Sequence, residues 1–192
     1  MEESRFLDLF SGSGGIGIEA LSRGASQAVF VEQNRKAAAC IEENLNHTHL
    51  REKAVVMSKD VMTALRILED KKQAFDYIFM DPPYGKLLEK EAVLYLDGSV
   101  LCDENTTIII ESDLDTEFSW IMDTGFTITK DTISTFGISF VTSLISSTLS
   151  SIEKSGFFAL LINTPIITLS KTAAVRFIIS KCPRVIGSKL PG

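Results

Sequence analysis

The 192-residue sequence predicts an α/β fold built on a doubly wound, mostly parallel sheet with helices on both faces. From Arg5 to about Asp131, short apolar runs rich in branched and aromatic residues alternate with longer segments of helical spacing. That alternation is typical of parallel strands joined by crossover helices. A glycine-rich turn at residues 12–17 separates the first apolar run from the first helical segment, which is where such sheets bind ligands.

Six apolar runs are predicted to form the strands. The fourth run is nearly all apolar, which indicates a strand buried on both faces near the centre of the sheet. It ends before Pro82 and Pro83, because two prolines remove two backbone donors from the ladder. The predicted strands are Arg5–Phe10, Gln27–Glu32, Ala54–Met57, Phe75–Met80, Thr106–Glu111 and Phe126–Thr129.

Helical spacing between these strands predicts five helices. The first follows the glycine-rich turn, and Asn34 is a suitable N-cap for the second. The predicted helices cover Ile16–Arg23, a segment through Ala37, Ile41 and Leu45, then Val61–Leu68, Leu87–Leu96 and Thr116–Met122.

The charge along the chain changes sign, which predicts a division after residue 137. The whole chain has a formal net charge of -6, and residues 138–192 carry six Lys and Arg against Glu153 alone, a balance of +5. Residues 1–137 therefore carry -11. We expect one domain over residues 1–137 and a tail over 138–192. The apolar runs of the tail are shorter than the roughly 20 residues of a membrane span, so no membrane attachment is expected.

The cysteines predict a reducing environment. Cys40, Cys102 and Cys182 are far apart and lack a C-x-x-C spacing, which is typical of reduced thiols. Since no secretory signal is recognisable, a cytoplasmic protein is expected. His47 and His49 stand close together, but no Cys or further His nearby completes a ligand set, so no metal site is predicted.

The glycine-rich turn predicts a cofactor that contains a nucleoside. Residues 12–17 match the spacing G-x-G-x-x-G between a strand and a helix. Glu32 ends the second strand, where a carboxylate accepts hydrogen bonds from two ribose hydroxyls. The glycine spacing alone favours a dinucleotide about as well as S-adenosylmethionine. The alternative without any ligand is a tight turn that only requires glycine.

Two acidic residues separate these cofactors. Asp8, on the strand beneath the turn, would repel a pyrophosphate but attract the cationic methionine part of S-adenosylmethionine. Asp60, after the third strand, is placed to accept from the adenine amino group, with the Val61 amide donating to a ring nitrogen. Asp60 serves equally well as a helix N-cap without any ligand.

The residues Asp81-Pro82-Pro83-Tyr84, at the end of the fourth strand, predict chemistry on an exocyclic amino group of a nucleobase. The lone pair of such a group is delocalised into the ring, so a carboxylate and a backbone carbonyl that accept its two N–H bonds favour attack on a methyl group. Prolines stiffen the turn and leave carbonyls free, and Tyr84 can stack on a base that has left its helix. The alternative is a turn that merely ends the strand and buries Tyr84.

These motifs together resemble the RsmD-type methyltransferases over about residues 4–131. The resemblance implies a Rossmann-like, class I fold that depends on S-adenosylmethionine, and methyl transfer to N2 of one guanine in small-subunit (16S) ribosomal RNA. The segments that carry it are Phe6–Gly14, Ile18–Ala25, Phe30–Glu32 and Asp76–Tyr84.

The resemblance also implies a role for individual residues. Glu111, at the end of the fifth strand, lies near the pocket with its role left open. The cofactor would be held by Asp8, Ser11, Gly12 and Gly14 on its methionine and ribose side, by Glu32 on the ribose, and by Asp60 and Val61 on the adenine, while Asp81, Pro82 and Tyr84 face the reacting base.

The expected protein is a monomeric enzyme that acts on ribosomal RNA within an assembling small subunit. Three alternatives stay open. One is a truncated, non-catalytic domain that only binds S-adenosylmethionine, and another is an adenine-N6 nucleic-acid methyltransferase, because the D-P-P-Y motif is shared with that class. A nicotinamide oxidoreductase is the third, although no His or Lys for hydride transfer is evident.

Two departures from the family affect these expectations. Its members carry a basic segment before the glycine-loop strand, whereas this chain begins almost at that strand, so weaker RNA binding is expected. Residues 138–192 do not resemble the family's ending, which favours a non-family extension such as a shifted reading frame. Sequencing the gene distinguishes a frameshift from an in-frame tail.

Overall fold

The computed structural model describes residues 1, 3–72, 74–83, 85–112, 116–131 and 174–181, with only the backbone for 129–131 and 174–181. Within these residues, seven strands alternate with four α-helices and two short 3-10 helices. The strands are β1 (Arg5–Leu9), β2 (Gln27–Val31), β3 (Ala54–Met57), β4 (Tyr77–Met80), β5 (Thr107–Ser112), β6 (Phe126–Asp131) and β7 (Ala174–Lys181). The α-helices are α1 (Gly15–Ser22), α2 (Arg35–His47), α3 (Val61–Glu69) and α4 (Leu88–Asp97), and the 3-10 helices are Arg51–Lys53 and Ser119–Asp123.

The strands form one doubly wound sheet in the order β3-β2-β1-β4-β5-β7-β6. All pairs among β1 to β5 are parallel, whereas β7 is antiparallel to both β5 and β6. The predicted α/β class with a mostly parallel sheet is confirmed, and β4 is the central strand, as its apolar composition indicates.

Strand β7 comes from the tail, where the sequence analysis predicts no strand. It pairs with β5 from Thr107↔Ser180 to Ser112↔Ala174 and fills the position between β5 and β6. This eight-residue segment is a weak signal, because its apolar residues are interrupted by Arg176 and nothing in the sequence shows which strand it would pair with. The division after residue 137 stays a prediction, since most of 138–192 lies outside the described residues.

The core consists of two layers, one on each face of the sheet. Neighbouring residues of β4 pack in opposite layers, Ile78 in one and Phe79 in the other, as the period of two in a strand requires. Helices α3 and α4 cover the first layer, and α1 and α2 cover the second. The helices cover the two faces of the sheet, so the carboxyl ends of the parallel strands lie together along one uncovered edge.

The local signals at helix ends have mixed outcomes. The Asn34 side chain accepts from the backbone N–H groups of Lys36 and Ala37, so the predicted N-cap of α2 is confirmed. The helix expected at Thr116–Met122 is wrong, because the chain forms a 3-10 helix at Ser119–Asp123 instead. A single tight turn is enough there to bury Phe118 and Ile121, which lie three residues apart.

No helix in the described part of the chain is long and apolar enough to cross a membrane.

Replacing Gly17 by alanine is expected to destabilise this fold. A Cβ atom at Gly17 would lie 2.3 Å from Cε1 and 2.7 Å from Cζ of the Phe30 ring. The ring is fully buried, so it cannot move aside without repacking the layer between α1 and the sheet. We expect G17A to lower the free energy of unfolding by about 1–3 kcal/mol, measured by urea denaturation.

The matched control is Gly15→Ala in the same helix. A Cβ atom at Gly15 would meet nothing within 4 Å, and alanine is the better helix former by up to about 1 kcal/mol. G15A should therefore leave stability unchanged or raise it slightly. Equal losses in G15A and G17A would show that the contact with Phe30 is not the cause.

Candidate functional site

Four carboxylic residues meet at the carboxyl ends of neighbouring parallel strands, and we call them the acidic edge. Asp8 lies in β1, Glu32 follows β2, Asp81 follows β4, and Glu111 lies near the end of β5. The negative charges of Glu32 and Asp81 both act on Asp8, and that of Asp81 acts on Glu111. The sequence places one acid at or near the end of each of these four strands, and the parallel order β2-β1-β4-β5 brings the four together.

The glycine-rich turn lies between β1 and α1 and has an unusual backbone. Phe10, Gly12 and Gly14 have positive φ angles of 64°, 54° and 82°. For an aromatic residue such as Phe10 this conformation costs roughly 1–2 kcal/mol, so the surrounding structure must impose it. A Cβ atom at Gly12 would find no other atom within 4 Å, so the turn borders open space at this point.

Ser11 connects the ends of β1 and β2. Its hydroxyl donates to the Asp8 carbonyl oxygen at 2.7 Å and accepts from the Val31 N–H at 3.0 Å. Its own backbone N–H donates to the Val31 carbonyl oxygen at 3.0 Å. In this structure the side chain therefore braces the two strands beneath the turn, and its predicted place beside a cofactor stays a prediction.

Asp8 is the most deeply buried member of the acidic edge, with 1% of its surface exposed. One carboxyl oxygen accepts from the Gly17 N–H at 3.0 Å, near the start of α1. Burial, as the largest cause, and the negative charges of Asp81 and Glu32 together raise the pKa of Asp8 to about 8, against the opposing effect of the Gly17 hydrogen bond. A nearby positive charge would favour its ionised form.

Glu32 joins the turn to the start of α2. Its Oε2 accepts from the Gly12 N–H at 2.9 Å, and its Oε1 accepts from the Asn34 N–H at 2.7 Å. Both carboxylate oxygens thus hold backbone groups around the space where a ribose is predicted. Each oxygen has a second lone pair, which leaves acceptor capacity for a ligand hydroxyl.

Asp81 and Glu111 form the other half of the acidic edge. The Asp81 side chain stays exposed at the rim, yet the protein around its carboxyl group raises its pKa to about 6 by desolvation. Glu111 is only 7% exposed, and burial, followed by the charge of Asp81, raises its pKa to about 7. Pro82 is buried directly after Asp81, while Tyr84 lies outside the described residues.

Asp60 and Val61 lie at the end of the next strand, β3, outside the acidic edge. The Asp60 carboxylate accepts from the Thr63 N–H at 2.9 Å and caps α3. This hydrogen bond lowers the pKa of Asp60. The helix-cap interpretation is therefore confirmed, and the contact with an adenine stays a prediction.

The described residues contain no group of three or more His, Cys, Asp and Glu side chains that could hold a metal ion. The described histidines, His47 and His49, are both exposed and line an open cleft with Glu43 and Asn46.

Sequence reasoning missed two structural features of the site. One is the brace made by Ser11, and the other is the close packing of Gly17 on Phe30. The G-x-G-x-x-G spacing already requires a glycine at position 17, but only the position of Phe30 in the next strand shows why.

We expect Asp8→Asn to stabilise the protein in the absence of ligand at pH 8. In the unfolded chain Asp8 ionises near 3.8, whereas in the fold its pKa is about 8. The unfolded state therefore binds fewer protons between these values, and the stability of the wild type falls as the pH rises through them. Asparagine cannot ionise and keeps an acceptor for Gly17, so the gain should be on the order of 1–3 kcal/mol at pH 8 and smaller at pH 5.

Urea denaturation at the two pH values measures this difference. The exposed Asp123, replaced by asparagine, serves as the control and should show no comparable pH dependence. A D8N protein less stable than the wild type by the same amount at both pH values would contradict the assignment.

Comparisons with known proteins show the family of this chain. The family described as "Conserved hypothetical protein 95" matches residues 1–141. YlbH of Bacillus subtilis is 38% identical over 113 residues, which make up 59% of this chain and 61% of YlbH. Ribosomal RNA small subunit methyltransferase D of Escherichia coli K12 is 34% identical over 114 residues, 59% of this chain and 55% of that protein.

The chain is also similar to solved structures. A conserved hypothetical protein from Streptococcus pyogenes is 34% identical, with 70% of this chain and 81% of that chain covered and a TM-score of 0.64. YhhF from Escherichia coli is 19% identical, with 95% of this chain and 78% of the YhhF chain covered and a TM-score of 0.62. At this identity the similarity shows the fold alone.

The chain spans about three fifths of the length of the named relatives it matches. The family match nevertheless covers well over half of this chain, including the glycine-rich turn and the acidic edge. The resemblance predicted from the motifs is confirmed, and the chain belongs to the conserved hypothetical protein 95 family, that of the RsmD-type methyltransferases.

Proposed function

We propose that this protein transfers a methyl group from S-adenosylmethionine to N2 of a guanine in small-subunit ribosomal RNA. The observation that carries the proposal is the acidic edge, which lies beside a glycine turn that borders open space. The named function of the Escherichia coli relative supports the same reaction class.

The residues of the site fit S-adenosylmethionine better than a dinucleotide. Desolvation by the surrounding protein raises the pKa values of Asp8, Asp81 and Glu111, so negative charge in the site is unfavourable unless a positive charge offsets it. A pyrophosphate would increase that charge, whereas a sulfonium and an ammonium group offset it. When bound, S-adenosylmethionine supplies a methyl group on a positively charged sulfur, which a nitrogen lone pair can take in one displacement.

Each side of the turn has a role in holding this cofactor. The open space at Gly12 lets a ligand approach the backbone closely, which a side chain there would prevent. Glu32 and Asp8 would hold the ribose and methionine ends, with Ser11 and Gly14 shaping the turn between them. Asp60 and Val61 would contact the adenine from the end of β3.

Asp81 and the Pro82 carbonyl would orient the amino group that receives the methyl. Each accepts one N–H of that group, which favours the nitrogen shape that can attack in line. The nitrogen then gains a methyl group and loses one proton. Asp81 is suited to take this proton, because its pKa is about 6 and its exposed position lets it pass the proton to solvent. Tyr84 would stack on the base.

The charge of the chain bears on how RNA is recognised. Residues 1–137 carry -11, so the long-range attraction to phosphates is weak. We therefore propose that the substrate is RNA within an assembling small subunit, where bound proteins help to present the base. The monomeric state and the cytoplasmic location stay predictions.

The test of this function is methyl transfer from isotopically labelled S-adenosylmethionine to unmodified small ribosomal subunits, followed by mass spectrometry of the nucleosides. We expect label in N2-methylguanosine. Label in N6-methyladenosine would replace the guanine assignment with the adenine alternative. Binding of S-adenosylhomocysteine in calorimetry without any transfer would support a non-catalytic binding domain instead.

Replacing Asp81 by alanine or asparagine should abolish most of this activity. Without the carboxylate the amino group is neither oriented nor relieved of its proton, so kcat/KM should fall roughly 100- to 1,000-fold. Binding of S-adenosylhomocysteine should change only a few-fold. The control is Asp123→Asn, which changes an exposed carboxyl group outside the acidic edge. Wild-type transfer by a folded D81A protein would contradict the role of Asp81.

A further inference from the structure

Glu111 is a buried acid that the proposed reaction does not use. It is 7% exposed, and no described residue hydrogen-bonds to its carboxylate. Leaving a buried carboxylate without a donor is unfavourable, so native structures rarely keep one without a functional reason. The other deeply buried acid of the edge, Asp8, has the Gly17 N–H as its donor.

The sheet places Glu111 beside Asp81. Strands β4 and β5 pair in parallel up to Met80↔Ile110, and the next residues along the chain are Asp81, just after β4, and Glu111 in β5. Their charges interact, since Asp81 makes ionisation of Glu111 harder. Two carboxyl groups side by side present acceptors to whatever base occupies the pocket.

Guanine is the nucleobase whose pairing edge matches two adjacent acceptors. It carries an amino group at C2 and an N1–H next to it, so it offers donors to both carboxylates. Adenine and cytosine place a ring nitrogen acceptor beside their amino groups, and that lone pair would face the second carboxylate. We propose that Glu111 is a specificity-determining residue that accepts the N1–H of guanine while Asp81 holds the 2-amino group. This inference rests on the proposed function and extends it to the choice of base.

The test compares guanine with 2-aminopurine at the methylated position of the RNA. The analogue keeps the 2-amino group that is methylated, but its N1 carries a lone pair in place of the proton. The wild type should prefer guanine by roughly 100-fold in kcat/KM. With the analogue, Glu111 receives no hydrogen bond from N1, so its buried carboxylate stays unpaired. In E111Q and E111A this preference should shrink roughly 10-fold or more.

The ratio separates a specificity role from a structural one. A fold defect lowers transfer to both bases alike, and the missing oxygen at C6 of the analogue affects the wild type and the variants equally. The control is Glu19→Gln, which alters another buried glutamate, 5% exposed and paired with Arg23, on α1. E19Q should keep the wild-type ratio.

Two results would overturn the inference alone: a wild type that methylates guanine and 2-aminopurine equally well, or E111 variants that transfer methyl groups with an unchanged ratio. The first needs no variant, so the inference stays testable even if E111Q and E111A do not fold. If the wild type methylates neither base, the proposed function fails as well, and the two failures are thereby distinguished.

Discussion

The burial of several carboxyl groups at one edge of a parallel sheet is the constraint on which the site depends. Asp8 is kept near the end of β1 by the Gly17 N–H, and its pKa of about 8 shows how unfavourable its charge is among the protein groups alone. The same bond ties β1 to the start of α1, and Glu32 ties the turn to the start of α2. The buried carboxyl groups thus lower the stability of the fold, but they hold negative charge and hydrogen-bond acceptors in fixed positions, as expected for a site that binds a cation.

This arrangement connects cofactor and substrate through one set of charges. Asp81 affects the ionisation of both Asp8, on the proposed cofactor side, and Glu111, on the proposed base side. A cation bound near Asp8 would favour the ionised form of the acids around it. Occupation of the cofactor site would therefore prepare Asp81 and Glu111 to accept hydrogen bonds from the base.

Much of this structure follows from sequence patterns. The predicted strands near β1 to β6 exist, with ends that differ by at most two residues, and the acidic residues were recognised because each lies within, at the end of or just after an apolar run. The 3-10 helix at Ser119–Asp123 and the strand β7 were not predicted, because a short segment takes its conformation from tertiary packing more than from its own spacing. Likewise, the hydrogen bonds of Ser11 and the position of Glu111 beside Asp81 depend on which strands are neighbours. The sequence shows residue types at strand ends, but not the hydrogen bonds that they make or lack.

Whether the acidic edge binds a cation is measured by a calorimetric titration of the protein with S-adenosylmethionine near pH 7, in two buffers of different ionisation enthalpy. Because the raised pKa values leave the acidic edge partly protonated before the ligand binds, binding of the cationic ligand should release a fraction of a proton up to about one. The apparent binding enthalpy would then differ between the two buffers. Binding without proton release, or binding of NAD in preference to S-adenosylmethionine, would contradict a role of the acidic edge in binding a cation.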